Sequence, residues 1–309
     1  GQPVASQSAQ MYSIVVNFLF VDRSLAHTQF IESVEAGASY SETVHMPSIV
    51  GYEPTLNDEV ISVLNIHYDS VNENKVFEII YHPVLVTYHI HHYQQNVIND
   101  EYTLFETEER TAYTQSQVEN CEKTYPGFYA LVYEKPYVAA DGGTIVNVYY
   151  DRYYYMVSFD LQGGKGVDPI YGKYGAIYDV NDPTRSGYTF EGWTPGLTNV
   201  IPINGTSYTA TWRETNSSYT IVYWYQTIDA TGYNVAGQKI VNENSGTVIS
   251  SSQHKDDTFN GKIQYMFEYD ENMEETITVL GDGSSILNVY FNRVQCTIDF
   301  YIYGDPSNT

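Results

Sequence analysis

Positive charge is the scarcest commodity in this sequence: 14 Lys and Arg stand against 38 Asp and Glu, for a formal charge of −24 over 309 residues. A surface that acidic repels nucleic-acid phosphates and an anionic membrane face alike, so neither is expected as a partner. Cysteine is nearly missing too. Cys121 and Cys296 sit in no CxxC or metal-ligand spacing and read as free thiols. No run of about 18 apolar residues occurs, so no membrane insertion by this chain is expected. No signal peptide or wall anchor is visible, and residues 1–10 read as a linker or tag remnant, as in a fragment of a larger protein. Nucleophile elbow, HExxH, P-loop and dinucleotide fingerprints are all absent, so neither an enzyme nor a cofactor is expected.

What is abundant is tyrosine, 32 residues against 12 Phe and 3 Trp. Tyr favours strands and tolerates a half-wet position, which suits small modules with thin cores. It is also a good recognition residue when exposed. Alternation of period two runs through Ile14-Val16-Phe18-Phe20, Val86-Tyr88-Ile90, Val157-Phe159, Ile221-Tyr223-Tyr225 and Ile298-Phe300-Ile302. Each stretch predicts a strand with one buried face. Gly, Asn and Asp clusters between them supply turns.

An internal repeat is legible. The segment from Asp141 to Arg152 (DGGTIVNVYYDR) matches the one from Asp282 to Arg293 (DGSSILNVYFNR), 141 positions on. A weaker pair joins Gly37-Ala38, Tyr40, Pro47 and Gly51-Tyr52 to Gly175-Ala176, Tyr178, Pro183 and Gly187-Tyr188. Two similar offsets mean two module types in alternation. The expected modules are 11–83, 84–153, 154–214 and 217–293, with 294–309 the start of a truncated module or a tail. Thr215-Asn216-Ser217-Ser218 reads as the only loose linker, and linkers this short predict a stiff rod.

Residues 154–214 carry a specific pattern: Val157-Ser158-Phe159, Gly163-Gly164, Tyr174-Gly175, Asp182-Pro183-Thr184-Arg185-Ser186-Gly187-Tyr188 running on to Trp193, and a closing Tyr208 to Trp212. This module resembles the Listeria–Bacteroides repeat, also called the internalin B-repeat. The flanking modules resemble, more loosely, the mucin-binding-protein repeats of Gram-positive surface proteins. The resemblance implies a mainly β chain of tandem small β-grasp-like, ubiquitin-like modules in an elongated rod, with one short helix each. It implies an extracellular, cell-surface location within a larger wall-anchored or secreted protein. It further implies adhesion of a monomeric segment to a host mucosal glycoprotein or glycan, mucin or immunoglobulin. A passive stalk that projects another domain is the alternative.

Candidate contact residues follow from strand parity. If Ile221 and Tyr223 face inward, Val222 and Trp224 face outward, and an outward Trp is enriched at binding hot spots. If Val86, Tyr88 and Ile90 face inward, His89 and His91 face outward in the equivalent strand of the second module, and His92 faces in. Two His at i and i+2 could share a metal, but no third ligand is identifiable. Acidic stretches around Asp179 and Asp270 lack the spacing of a Ca²⁺ loop. Trp193 and Trp212 read as core anchors.

Overall fold

The computed structural model describes residues 8–258 and 266–300. Most of the expected leading linker (1–7) and the end of the expected truncated module (301–309, with Ile302) lie outside the described residues. Among the described residues the chain is strand and turn, with two short 3-10 turns, Ser251–His254 and Glu271–Met273, and no α-helix. The short helix expected in each module is therefore not found among the described residues. Two of the connections that would carry one, 114–127 and 174–187, are instead engaged by isolated antiparallel bridges, Gln117 with Tyr137 and Ile177 with Val200. Of the strand expected through Ile298, Phe300 and Ile302, the described part, 298–300, is not in strand.

The chain divides into two compact units, Gly1–Tyr153 and Tyr154–Thr309. The first unit holds two sheets. In one, β1 (Met11–Phe20), β2 (Leu25–Glu35), β4 (Tyr52–Leu56), β5 (Glu59–Val60) and β7 (Lys75–Pro83) lie in the order β2-β1-β7-β4-β5, beside a ribbon of β3 (Tyr40–His45) and β6 (Val63–Tyr68). In the other, β8 (Leu85–Gln95), β9 (Tyr102–Tyr113), β10 (Phe128–Ala130) and β11 (Ile145–Arg152) lie in the order β10-β11-β8-β9. The second unit holds the third sheet, with β12 (Tyr154–Asp160), β13 (Ile170–Lys173), β14 (Tyr188–Thr194) and β15 (Thr206–Glu214) in the order β13-β12-β15-β14. Its fourth sheet contains β16 (Asn216–Gln226), β17 (Tyr233–Asn244), β19 (Phe267–Tyr269) and β21 (Ser285–Arg293), in the order β17-β16-β21-β19. A ribbon of β18 (Val248–Ser250) and β20 (Thr276–Thr278) accompanies it.

All four sheets share one wiring. The opening strand pairs antiparallel with the second strand and parallel with the closing strand, which pairs antiparallel with a middle strand. The central parallel pair buries one face of each sheet, with Ile14, Val16 and Ile79, then Ile90, Val146 and Val148, then Val157 and Tyr208, then Ile221, Leu287 and Val289. Tyrosine closes three of these cores. Tyr81, Tyr150 and Tyr208 lie on closing strands, and each hydroxyl serves a neighbouring loop. Tyr81 Oη donates to the Pro47 carbonyl at 2.6 Å, Tyr150 Oη accepts from Lys123 N at 2.8 Å, and Tyr208 Oη accepts from Thr198 N at 3.3 Å. A ring that fills the core while its hydroxyl satisfies a loop amide explains much of the Tyr content.

Within each unit the two sheets meet through the same joint. Val84 N donates to the Gly51 carbonyl at 2.9 Å, and Thr114 N donates to the Val84 carbonyl at 3.0 Å. In the second unit Thr215 N donates to the Gly187 carbonyl at 2.9 Å, and Ser245 N to the Thr215 carbonyl at 3.1 Å. The hydroxyls of Thr114 and Ser245 reach the same carbonyls of Val84 and Thr215. Gly51 and Gly187 both have positive φ, +80° and +77°. A Cβ on Gly51 would lie 2.7 Å from Ala140 Cβ, and one on Gly187 would overlap Gly281. Thr215 is thus a fixed joint residue rather than a loose linker, because its N–H and C=O are both bonded and Asn216 already opens β16.

Candidate recognition face

Parity along β8 and β16 is as the alternation predicts. Tyr88, Ile90 and His92 are buried on one side, as are Tyr219, Ile221 and Tyr223. His89, His91, Val222 and Trp224 are half-buried on the other. His89 Nε2 lies 3.2 Å from Glu109 Oε1 on β9, and the His91 ring meets Tyr93 edge-on at 6.3 Å. Among the described residues no three His, Cys, Asp or Glu side chains gather as a metal site.

Trp224 belongs to a cluster. Its ring stacks on Tyr290 of β21 at 5.9 Å and 16°, and Tyr233 of β17 meets Tyr290 edge-on at 5.0 Å and 73°. Its indole Nε1 donates to Asn288 Oδ1 at 2.8 Å. Tyr233 Oη donates to Asp270 Oδ2 at 2.7 Å, and Asn292 Oδ1 lies 2.9 Å from the same hydroxyl. The second sheet repeats this arrangement with other residues. Tyr93 stacks on Tyr149 at 4.9 Å and 19°, Tyr102 meets Tyr149 edge-on at 5.0 Å and 73°, and Tyr102 Oη donates to Asp151 Oδ1 at 2.5 Å. That carboxylate bond, with burial behind it, pushes the Tyr102 hydroxyl up to about 12. A bulge precedes the first ring in both cases, between His92 and Tyr93 and between Tyr223 and Trp224. Bulges re-aim side chains, and here the extra residue lies on the partner strand, Phe105 of β9 and Ala236 of β17, where it shifts the parity that brings Tyr102 and Tyr233 to the side of Tyr93 and Trp224.

The likeness continues at the sheet end. Arg152 Nε donates to the Gln95 carbonyl at 2.7 Å with its guanidinium 4.6 Å over Phe128. Arg293 Nε donates to the Gln226 carbonyl at 2.9 Å with its guanidinium 4.9 Å over Phe267. Sequence reasoning missed Tyr93, Tyr102, Tyr149, Tyr233 and Tyr290. The signal was available: Tyr88, Ile90, Tyr93 and Gln95 stand 131 positions before Tyr219, Ile221, Trp224 and Gln226. Aligned with the 141-position repeat, that offset pairs the rings.

The inward side of β8 carries a second polar group. His92 is fully buried, with Nδ1 2.9 Å from Tyr150 Oη. Its Nε2 lies 3.4 Å from Glu108 Oε2, though neither atom is in a well-formed hydrogen bond. Burial holds the imidazole below its ordinary value, Lys123 adds to that, and Glu106 and Glu108 oppose it. Arg110, donating to Glu108 Oε1 at 2.7 Å, is the main cause that brings the Glu108 carboxyl down to about 2, with Lys123 assisting against burial. Lys123 Nζ is 2.6 Å from Glu106 and 3.0 Å from Glu108. These contacts tie β8 and β9 to the connection that carries Lys123. Cys121 beside it is buried, which pushes its thiol up, and Cys296 is exposed. Trp193 and Trp212 pack into the third sheet, Trp193 against Phe159 at 5.0 Å and Trp212 with Nε1 donating to the Leu161 carbonyl at 3.0 Å.

Residues 155–200 match the Listeria-Bacteroides repeat domain. This repeat is typical of extracellular surface proteins, and its match, over part of the third sheet, points to a bacterial surface protein. No curated protein matches the sequence significantly. Among solved structures, the TIE protein of Bacillus anthracis is 12% identical over 92% of this chain, at a TM-score of 0.19. The present chain spans 51% of that one. A mutant of the shaft pilin SpaA from Lactobacillus rhamnosus GG is 9% identical over 94% of this chain and 100% of its own, at a TM-score of 0.12. TM-scores this low carry no argument about fold. Among the described residues no helix is long and apolar enough to cross a membrane.

Proposed function

We propose that this chain is a ligand-contacting segment of a Gram-positive surface adhesin whose partner is a host mucosal glycoprotein, a mucin glycan or an immunoglobulin. In this reading it lies outside the cell, as a monomeric part of a larger wall-anchored or secreted protein, and works without catalysis or cofactor. Its modules, at 11–83, 84–153, 154–214 and 217–293, are β-grasp-like units in an elongated rod. Those flanking the Listeria-Bacteroides repeat are of mucin-binding type.

The observation that carries the reading is the ring cluster on the outward face of both the second and the fourth sheet, next to His89 and His91 in one and Val222 in the other. Aromatic rings with polar neighbours on an otherwise acidic surface are suited to recognition. The test is binding of the whole chain to immobilised mucins, a glycan panel and immunoglobulins. Saturable binding to a mucin or immunoglobulin is expected, and a flat response across the panel would remove the reading. A second reading, a passive stalk, is favoured by the shared joint at Gly51 and Gly187, since a fixed joint suits a spacer. It predicts that flat response.

A further inference from the structure

The ring clusters of the second and fourth sheets differ in the polar groups beside them. In the fourth sheet Asn288 is engaged twice: its Oδ1 accepts from the Trp224 indole, and its N–H donates to Glu275 Oε2 at 2.7 Å. The carboxylate of Glu275, half-buried, plugs the free side of β21. In the second sheet the equivalent positions, 141 residues earlier, are Asn147 and Glu134. Tyr93 replaces Trp224 and has no indole N–H to give, so Asn147 is not tied down in that way. Both Asn147 and Glu134 are exposed. Between them lies a groove of about 390 Å³, walled by Tyr149, Ile145, Val132 and Pro136.

We infer that this groove of the second sheet binds one ring of a neutral pyranose sugar, with Tyr149 as its stacking platform and Asn147 and Glu134 as its hydroxyl-binding groups. The inference rests on the adhesin reading and narrows it to one module and one ligand class. A pyranose has an apolar C–H face and a rim of hydroxyls. Tyr149, 37% exposed, presents a flat apolar ring held in place by Tyr93 and Tyr102. An amide supplies both donors and an acceptor, and a carboxylate supplies acceptors for a pair of hydroxyls. The groove is of the size that small ligands occupy, roughly 300 Å³ or more. The electrostatics select against an acidic sugar or a phosphate. Glu134 lines the groove, the chain carries −24, and the nearby cation, Lys135, sits 5.8 Å over the Tyr133 ring. The plugged fourth sheet serves as an internal negative control on the same scaffold.

The experiment uses the full chain and saturation-transfer NMR with methyl galactoside, methyl mannoside and methyl glucoside, and N-acetylneuraminic acid as the acidic probe. At least one neutral glycoside should show transfer, and the acidic probe should not. Asn147→Ala and Glu134→Gln should each weaken that glycoside at least about fivefold, the size of one lost hydrogen bond. Both side chains are exposed, so melting temperature should hold. Tyr149→Phe should retain binding where Tyr149→Ala loses it. Silence from all neutral glycosides, binding of the acidic probe alone, or transfer that both polar variants leave intact would overturn the site. The same variants on the mucin and immunoglobulin panel separate the two claims. Panel binding that survives them leaves the adhesin reading standing without this site. Glycoside binding with a flat panel leaves the site standing without a host glycoprotein.

Discussion

The second and fourth sheets carry equivalent three-ring clusters at nearly the same angles, yet one presents exposed polar groups beside a groove and the other engages them in hydrogen bonds. The difference lies in two contacts. Trp224 has an indole N–H and uses it on Asn288, while Tyr93 has none to use on Asn147. Separately, the Asn288 backbone N–H donates to Glu275 Oε2, which occupies the free side of β21. The ring cluster is therefore part of the scaffold in both sheets, since an outward sheet face with no second layer over it still gains from apolar cover. What varies is the fringe, and recognition lives in sites grafted onto a shared scaffold.

The shared part can be broken first. Gly187→Val should be the most damaging change, because a left-handed φ and an overlap with Gly281 coincide there. We expect a loss of about 3 kcal/mol or more in thermal or urea unfolding. Gly51→Val should act in the same direction in the first unit, and an unchanged unfolding curve for both would remove the joint as a structural element.

Acid should separate the two sheets next. The folded-state value of His92 is depressed by burial, so the unfolded chain binds the proton first and stability falls as pH drops through the ordinary imidazole range. Glu108 is depressed to about 2, so its contribution is present above the ordinary carboxyl range and is lost as pH falls toward that value. Both push the second sheet toward acid lability. The fourth sheet has Tyr223 in place of His92, with a hydroxyl whose pKa is raised by burial and by Asp257, so it stays neutral throughout. Melting followed from pH 7.5 to pH 5 should show the first unit losing stability ahead of the second. His92→Gln should flatten the part of the slope above the carboxyl range, and a slope that survives it would place the effect elsewhere.

Much of this was open to inspection in the sequence, for a physical reason. Period-two alternation is local, so the strands around Ile14, Tyr88, Val157 and Ile221 and the sides taken by His89, His91, Val222 and Trp224 could be read directly. The short helices that the resemblance implied do not appear among the described residues, because connections such as 114–127 and 174–187 bridge to residues farther along the chain, a pairing that local pattern does not reveal. The ring clusters were hidden because their members come from three strands and meet through a bulge, which shifts parity by one residue and is silent in composition. The plug at Glu275 was hidden for a similar reason: a single carboxylate on a backbone amide leaves no pattern.

Smaller changes sharpen the comparison. Trp224→Ala removes a stack and an indole hydrogen bond and should cost about 1–2 kcal/mol in equilibrium unfolding. A cost near zero would mean that the ring is not part of the scaffold. Trp224→Tyr supplies the residue of the second sheet at that position and should cost under about 1 kcal/mol, since a stacking ring is kept. Combined with Glu275→Ala, it should give the fourth sheet the open fringe of the second and so confer glycoside binding there. A double variant that is stable and binds nothing would show that the groove needs more than these two positions.

The most direct test is residue-level mapping. With three Trp in the chain, the indole signal of Trp224 is readily assigned by substitution, and the amides of Ile145 to Tyr149 report on the groove. Titrating the neutral glycoside that binds into isotope-labelled protein should move the signals of Asn147, Tyr149 and Glu134 and leave the Trp224 indole in place. Movement of the Trp224 indole with a silent second sheet would contradict the account.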